Sequence, residues 1–240
     1  MILATHQTNQ KYAEYIQPLN QDLFYLLHER LKFKDPFWFR KNILDYGCNV
    51  ANLLKTSNGK ILENNYTGID VQPTALEIAS KEFSNATFIH SNYYHPAFNN
   101  KGTLDFPVVT NKYDIVFCIG VFTHCDIDDI VNHIDFLKRQ LNPNGFIVFS
   151  IWEDFHFIRY VDIFLKFILK IKCPPTVYQT FNNSLYLVNR QYSLTDIDKL
   201  SINSVDWLET FYTREFLSKK ILNLKYLPGP RSLHSFFIVS

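Results

Sequence analysis

Asp45 and Asp70 each close a short apolar run, and residues suited to turning a chain surround both. Ile43-Leu44-Asp45 passes through Tyr46, Gly47, Cys48 and Asn49 before apolar spacing resumes at Leu53 and Leu54, which predicts a strand, a tight turn and a helix start. Such a junction gathers backbone N–H groups and a carboxylate at the carboxyl end of a strand. Tyr66-Thr-Gly-Ile-Asp70 repeats the device 25 positions further on. A carboxylate placed there can accept both hydroxyls of a ribose. Together the two acids point to a nucleoside-bearing cofactor.

The elements that must position these acids alternate in type. Residues 9–34 have helical apolar spacing broken at Pro18. The Asp45 strand, a helix near 50–57 and the Asp70 strand follow. Pro73 opens a helix running from Thr74 to Phe83, and Thr87-Phe-Ile-His90 is a short strand. Residues 93–112, with Asn99-Asn100, Gly102 and Pro107, read as an irregular insertion. Tyr113 to Cys118 is a buried strand, and Asp128 to Leu141 is an amphipathic helix ended by Asn142-Pro-Asn-Gly145. Phe146 to Ile151 is the next strand. This alternation predicts an α/β fold: a doubly wound, mostly parallel sheet with helices on both faces. Beyond it, 155–171 is apolar except for a stripe at Arg159, Asp162, Lys166 and Lys170, which suits a lid or a homodimer element. Ser193 to Asp196 starts a short helix, and Val205–Tyr212 and Ser235–Val239 read as a final antiparallel pair at the sheet edge.

At 240 residues, 47% of them hydrophobic and 16% aromatic, the chain can bury one sizeable core. One domain over 1–240 is expected: a helical cap at 1–40, a cofactor-binding half at 41–151, a helical lid insertion at 152–192 and a sheet edge at 193–240. The net charge of +1 argues against a nucleic-acid partner. Residues 1–154 nevertheless carry 13 basic and 17 acidic side chains, and 155–240 carry 11 and 6. An acceptor covered by the second part would favour negative charge. Cys48, Cys118, Cys125 and Cys173 form no CxxC pair, the start of the chain has no signal-peptide pattern, and no apolar stretch approaches the ~18 residues of a membrane span. A reduced, cytoplasmic protein is expected.

These residues resemble the class I S-adenosylmethionine-dependent methyltransferases over roughly 40–151, and more faintly to the C-terminus. Asp45-Tyr-Gly-Cys-Asn-Val-Ala51 matches the glycine-rich motif, and Asp70 in Thr-Gly-Ile-Asp-Val71 matches the ribose acid. Phe88-Ile-His-Ser-Asn92 matches the adenine-side position. Tyr113 to His124, followed by Leu141-Asn-Pro-Asn-Gly-Phe-Ile-Val148, matches the fourth strand and the turn into the fifth. The family usually has glycine at Asn49 and Ala51 and an acid at Asn92. Asn49 can still adopt positive φ, Ala51 adds a methyl where strand, helix and cofactor meet, and Asn92 keeps an acceptor oxygen. The resemblance implies a Rossmann-like, seven-stranded sheet with an antiparallel edge strand and a helical insertion after the fifth strand.

It also implies S-adenosylmethionine as cofactor, S-adenosylhomocysteine as product, and no metal. Asp45, Tyr46, Gly47 and Asn49 would hold the methionine part, Asp70 and Val71 the ribose, and Asn92 with Tyr93 the adenine, with Ile119 and Gly120 lining the same cleft. His124 and His156 are the histidines placed to act as general base, each weighed against a structural or solvated role. Tyr15, Trp152, Glu153 and Arg159 are expected at the acceptor; Tyr12 and Tyr15 of the first helix could close over the cofactor. No Asn-Pro-Pro-Tyr-like motif follows the fourth strand, where Cys118-Ile-Gly-Val121 stands. That argues against amino-methylation of DNA bases or protein glutamine; O-methylation of a small molecule is expected, and a phosphorylated or carboxylated sugar or surface-glycan precursor suits the basic C-terminal part. Two further readings are a non-catalytic cofactor-binding partner subunit and a nucleotide-dependent oxidoreductase, although Gly47-Cys-Asn-Val-Ala-Asn52 fits G-x-G-x-x-G poorly.

Overall fold

The apolar runs flanking both acids become adjacent parallel strands. The structure is a computed structural model and describes residues 23–31, 38, 40–95, 98–152, 177–181, 184–188, 209–212, 214–227 and 234–240. In order, the strands are β1 (Ile43–Tyr46), β2 (Tyr66–Asp70), β3 (Thr87–His90), β4 (Tyr113–Cys118), β5 (Leu141–Trp152), β6 (Val177–Phe181), β7 (Ser184–Val188), β8 (Glu209–Tyr212), β9 (Lys225–Leu227) and β10 (His234–Val239). The helices are α1 (Leu23–Leu31), α2 (Asn52–Thr56), α3 (Pro73–Glu82), α4 (Ile127–Lys138) and α5 (Arg214–Lys220). Strand neighbours trace a seven-strand path, β3-β2-β1-β4-β5-β10-β9. The pairs β1–β2, β1–β4 and β2–β3 are parallel and β9–β10 is antiparallel. This is the mostly parallel α/β sheet expected from the alternation of elements. An antiparallel β6-β7-β8 set adds to it through the pair Trp152↔Phe211.

The chain divides into two compact units, Met1–Cys118 with Phe136–Val148 and Ser240, and Ile119–Asp135 with Phe149–Val239. In the first, β1 and β4 are buried nearly throughout, which is why both read as continuous apolar runs. Ile43, Leu44, Tyr66, Ile69, Ile115 and Phe117 form its centre. α3 begins at Pro73 and turns Ala75, Leu76 and Ala79 inward. The backbone N–H of Phe24 in α1 donates to Thr56 Oγ1 at 3.3 Å, and Trp38 stacks on Phe117 with ring centroids 6.0 Å apart. Within the 93–112 insertion Phe106 stacks on Tyr93 at 4.8 Å and on Phe136 at 4.5 Å, which anchors an otherwise irregular loop.

One boundary differs from the sequence expectation. α4 stops at Lys138, and Leu141-Asn-Pro-Asn-Gly145, read as helix end and turn, is already the start of β5. Asn142 is tied across to Asp114, its Nδ2 donating to Oδ1 at 2.9 Å. A Cβ on Gly145 would lie 2.9 Å from the Tyr113 carbonyl oxygen, so glycine lets the two backbones meet there. These contacts are long-range, so a local turn pattern does not reveal them.

In the second unit, Phe149 of β5 lies between Phe122, at 5.4 Å, and Phe237 of β10, at 5.5 Å. Tyr212 donates from its hydroxyl to the Cys125 carbonyl at 2.8 Å, and Arg214 sits 3.4 Å over the Tyr226 ring. The expected pairing of the last two strands is corrected: β8 pairs with β5 and β7, and β10 pairs with β5 and β9. In sequence α5 and β9 lie between them. The 155–171 segment, Cys173 and Ser193–Asp196 lie outside the described residues. No helix among the described residues is long and apolar enough to cross a membrane.

Candidate functional site

The β1–α2 junction is built on three left-handed residues spaced by two: Gly47 at φ 79°, Asn49 at 52° and Ala51 at 59°. Only the first is glycine. The backbone therefore keeps the path of a three-glycine turn although two positions carry side chains. Asn tolerates this region through its short polar side chain, whereas Ala there costs roughly 1–2 kcal/mol. Bonds to β2 hold the turn: the N–H groups of Gly47 and Cys48 both donate to the Ile69 carbonyl, at 2.8 and 3.0 Å. Ala51 is fully buried at the N-terminal end of α2. Ala51→Gly is expected to leave stability within about 1 kcal/mol of wild type, because relief of the strained φ offsets the lost methyl burial of about 0.8 kcal/mol. Ala51→Val, branched and left-handed in a filled space, should cost at least about 2 kcal/mol. Urea unfolding of both variants measures the contrast.

Asp70 ends β2 half-buried. Its Oδ2 accepts the Asn49 N–H at 2.8 Å and its Oδ1 the Gln72 N–H at 2.9 Å. An ionised carboxylate has about four acceptor sites, so these bonds fix its plane and leave capacity for two hydroxyl donors. Burial raises its proton affinity above the ordinary carboxylate range, while bonds from the Gln72, Asn49 and Val71 backbone and the nearby His90 pull the other way. His90 Nε2 lies 3.2 Å from the Val71 carbonyl oxygen. The Ser91 N–H donates to the Asp70 carbonyl at 2.9 Å, so the end of β3 is tied to the end of β2.

Asp45 lies deeper, 6% exposed, beside Gly68 in the parallel register. The Tyr66 hydroxyl donates to its Oδ2 at 2.6 Å. Burial pushes the Asp45 carboxyl up to about 7, the Tyr66 bond lowers it, and the Asp70 charge raises it further. Cys48, buried beside these acids, is pushed well above the ordinary thiol range by burial and then by both charges. Its Sγ occupies the room beside Gly68, since a Cβ there would lie 2.6 Å from it.

Of the adenine-side pair, Tyr93 is buried in its aromatic stack, with its N–H donating to Ser91 Oγ at 3.3 Å. Asn92 is exposed; its carbonyl accepts the Thr103 N–H at 2.8 Å and its Oδ1 lies 3.4 Å from Asn99 Nδ2. The first unit thus brings together Asp45, Tyr46, Gly47, Asn49, Asp70, Val71, Asn92 and Tyr93. Ile119 and Gly120 belong to the second unit. There Gly120, at φ 73° with open space where a Cβ would be, donates its N–H to the buried Ser150 Oγ at 2.9 Å. His124 has its backbone in the Phe122–His124 turn, and its side chain is outside the described set. Asp126 caps α4, its Oδ1 accepting the Asp129 N–H at 2.8 Å. Trp152 closes β5, while Tyr12, Tyr15, Glu153, His156 and Arg159 lie outside the described residues. Sequence reasoning missed Tyr66 and His90 as partners of the acids. The signal lay in register: Tyr66 shares a strand face with Gly68, which stands beside Asp45, and His90 stands beside Asp70.

A methyltransferase-domain family matches this chain from residue 44 to residue 147, a span containing both acids and the left-handed turn. Residues 44–147 are thus similar to a methyltransferase domain. The chain is similar to the tRNA U34 carboxymethyltransferase of Nautilia profundicola, 27% identical over 176 residues, covering 72% of this chain and 51% of that protein. An uncharacterized protein of Rickettsia prowazekii is 29% identical over 108 residues, 45% of this chain and 41% of its own length. The chain thus spans about half the length, or less, of the curated relatives it matches. Among solved structures, the methyltransferase fold is shared with an S-adenosylmethionine-dependent methyltransferase from Clostridium acetobutylicum at TM-score 0.55 and 13% identity, covering 96% of this chain and 97% of that one. It is shared likewise with CalS10, an amino pentose methyltransferase from Micromonospora echinaspora, at TM-score 0.55 and 14% identity, covering 91% and 90%. At these identities the structures establish the fold. The spare acceptor capacity of Asp70 and the left-handed turn fit a ribose-bearing cofactor with an amino-acid end.

Proposed function

We propose that this chain is an S-adenosylmethionine-dependent methyltransferase acting on oxygen of a small anionic acceptor, such as a phosphorylated or carboxylated sugar or surface-glycan precursor. The observation that carries the cofactor assignment is the Asp70 carboxylate, held by the Asn49 and Gln72 N–H groups beside the glycine-type turn. S-adenosylmethionine, when bound, supplies an electrophilic methyl group on a positively charged sulfur. Asp70 and Val71 would hold the ribose, Asp45, Tyr46, Gly47 and Asn49 the methionine part, and Asn92 with Tyr93 the adenine. Ile119 and Gly120 remain assigned to the cofactor by the resemblance. His124 or His156 would take the proton from the acceptor hydroxyl, and Tyr15, Trp152, Glu153 and Arg159 would align and enclose the acceptor. The 155–171 segment is assigned as lid or dimer element. The basic excess over 155–240 supports an acceptor with negative charge.

A second reading is favoured by the similarity to the Nautilia tRNA carboxymethyltransferase: an acceptor nucleoside within tRNA, whose phosphates would answer the same basic half. Radiolabelled S-adenosylmethionine offered with sugar phosphates, uronic acids and bulk tRNA separates the two. Label in the sugars is the expected result, and label found only in ribonuclease-sensitive material replaces it with the second reading. Removing charge at Arg159, Arg190 and Arg214 should lower kcat/KM for an anionic sugar by at least about tenfold. Turnover that survives all three changes counts against an anionic acceptor. Cofactor binding without transfer to any acceptor would favour the non-catalytic partner subunit. The oxidoreductase reading loses support because the family match accounts for the later motifs as well as the turn.

A further inference from the structure

We propose that the Tyr66 hydroxyl is a positioning group for cofactor recognition: by donating to Oδ2 of Asp45 it fixes that carboxylate and reserves Oδ1 for the cofactor's ammonium group. This rests on the reading that Asp45 meets the methionine part of the cofactor. Tyr66 is among the largest fully buried side chains, 1% exposed, and its hydroxyl reaches Asp45 Oδ2 at 2.6 Å. Among the described residues it is the one side-chain hydrogen-bond partner Asp45 has. The register explains the reach. Gly68 stands beside Asp45 and carries no side chain, so the phenol two residues earlier on the same face crosses to the acid. Phe88 of β3 meets the Tyr66 ring edge-on at 6.1 Å, which restrains its direction.

Other groups around Asp45 cannot do this work. From β2, Asp70 adds like charge; from the turn, Cys48 stays a buried thiol; from β4, the residue in register is the uncharged Phe117. Burial favours a protonated Asp45, and the Tyr66 bond favours the anion. An anion held in one rotamer is what an ammonium group requires, and a protonated, free-turning acid would bind it poorly. Tyr66→Phe removes the hydroxyl and keeps the ring, so the effect is separable from packing.

The test measures S-adenosylhomocysteine affinity by calorimetry between about pH 5.5 and 8.5 for wild type, Tyr66→Phe, Asp45→Asn and the double variant. Wild-type affinity is expected to fall as the pH drops through about 7. In Tyr66→Phe affinity should weaken about tenfold at neutral pH, with the midpoint moved up by about one pH unit. In the Asp45→Asn background the second change should add nothing. Carbon-13 NMR of the aspartate carboxyls in the cofactor-free protein should show the same upward shift for Asp45. Equal weakening at every pH, or a Tyr66→Phe effect that persists without the Asp45 carboxylate, overturns the proposal. If Tyr66→Phe does not fold, wild-type NMR decides: an Asp45 carboxyl titrating below about pH 5, or unaltered by S-adenosylhomocysteine, overturns it. Wild type without affinity at any pH removes the cofactor reading itself. Wild type that binds while the midpoint stays fixed removes only this inference.

Discussion

Asp70→Ala is expected to raise the dissociation constant for S-adenosylhomocysteine by at least about 100-fold, because hydrogen bonds to a charged group are worth roughly 1.5–3 kcal/mol each and more than one is lost. The carboxylate orients the turn through Asn49 N–H and closes the β2 end through Gln72 N–H. Its remaining acceptor sites are those assigned to the ribose. On that assignment alanine removes a ribose contact and loosens the turn proposed to meet the methionine part. Asp70→Asn keeps the shape and one acceptor oxygen and should fall between the two. Calorimetric titration of the three proteins provides the check. An alanine variant that binds within about threefold of wild type would leave the cofactor site without its central residue.

The second large effect is on stability against pH. The folded-state value for Asp45, about 7, lies above the ordinary 3.8, so the native protein holds a proton there that the unfolded chain has released. The associated stabilisation is complete below about pH 4 and is lost as pH rises through 7. A rise of about three units corresponds to roughly 4 kcal/mol at most, since each unit is worth 1.36 kcal/mol. Urea unfolding of wild type and Asp45→Asn at several pH values isolates this part, because asparagine carries no titrating proton. The difference between the two should move against wild type by up to that amount between pH 4 and 8. A difference independent of pH would mean that Asp45 is ionised throughout, with more water around it than the fold allows. A cationic cofactor end bound at this acid should restore the loss at high pH, which links the stability profile to the cofactor titration.

The legible features are those that depend on near neighbours in sequence. An acid closing a short apolar run marks a strand end, so Asp45 and Asp70 could be read at the carboxyl ends of two strands, and the structure puts them at the ends of adjacent parallel strands. Alternating apolar runs likewise announced a parallel α/β sheet, because buried parallel strands must be apolar on both faces. Even the departures at Asn49 and Ala51 were readable as residues asked to take a glycine conformation, and the backbone takes it at both.

What the tertiary structure alone decided follows from contacts between residues far apart in the chain. β5 starts at Leu141, where Asn142 bonds to Asp114 28 residues away, and β8 and β10 each pair with β5 instead of with each other. Tyr66 looks like any strand aromatic until the β1–β2 register puts its hydroxyl on Asp45. The protonation of that acid has the same origin: charge and residue type are properties of the sequence, whereas desolvation is a property of what the fold packs around them.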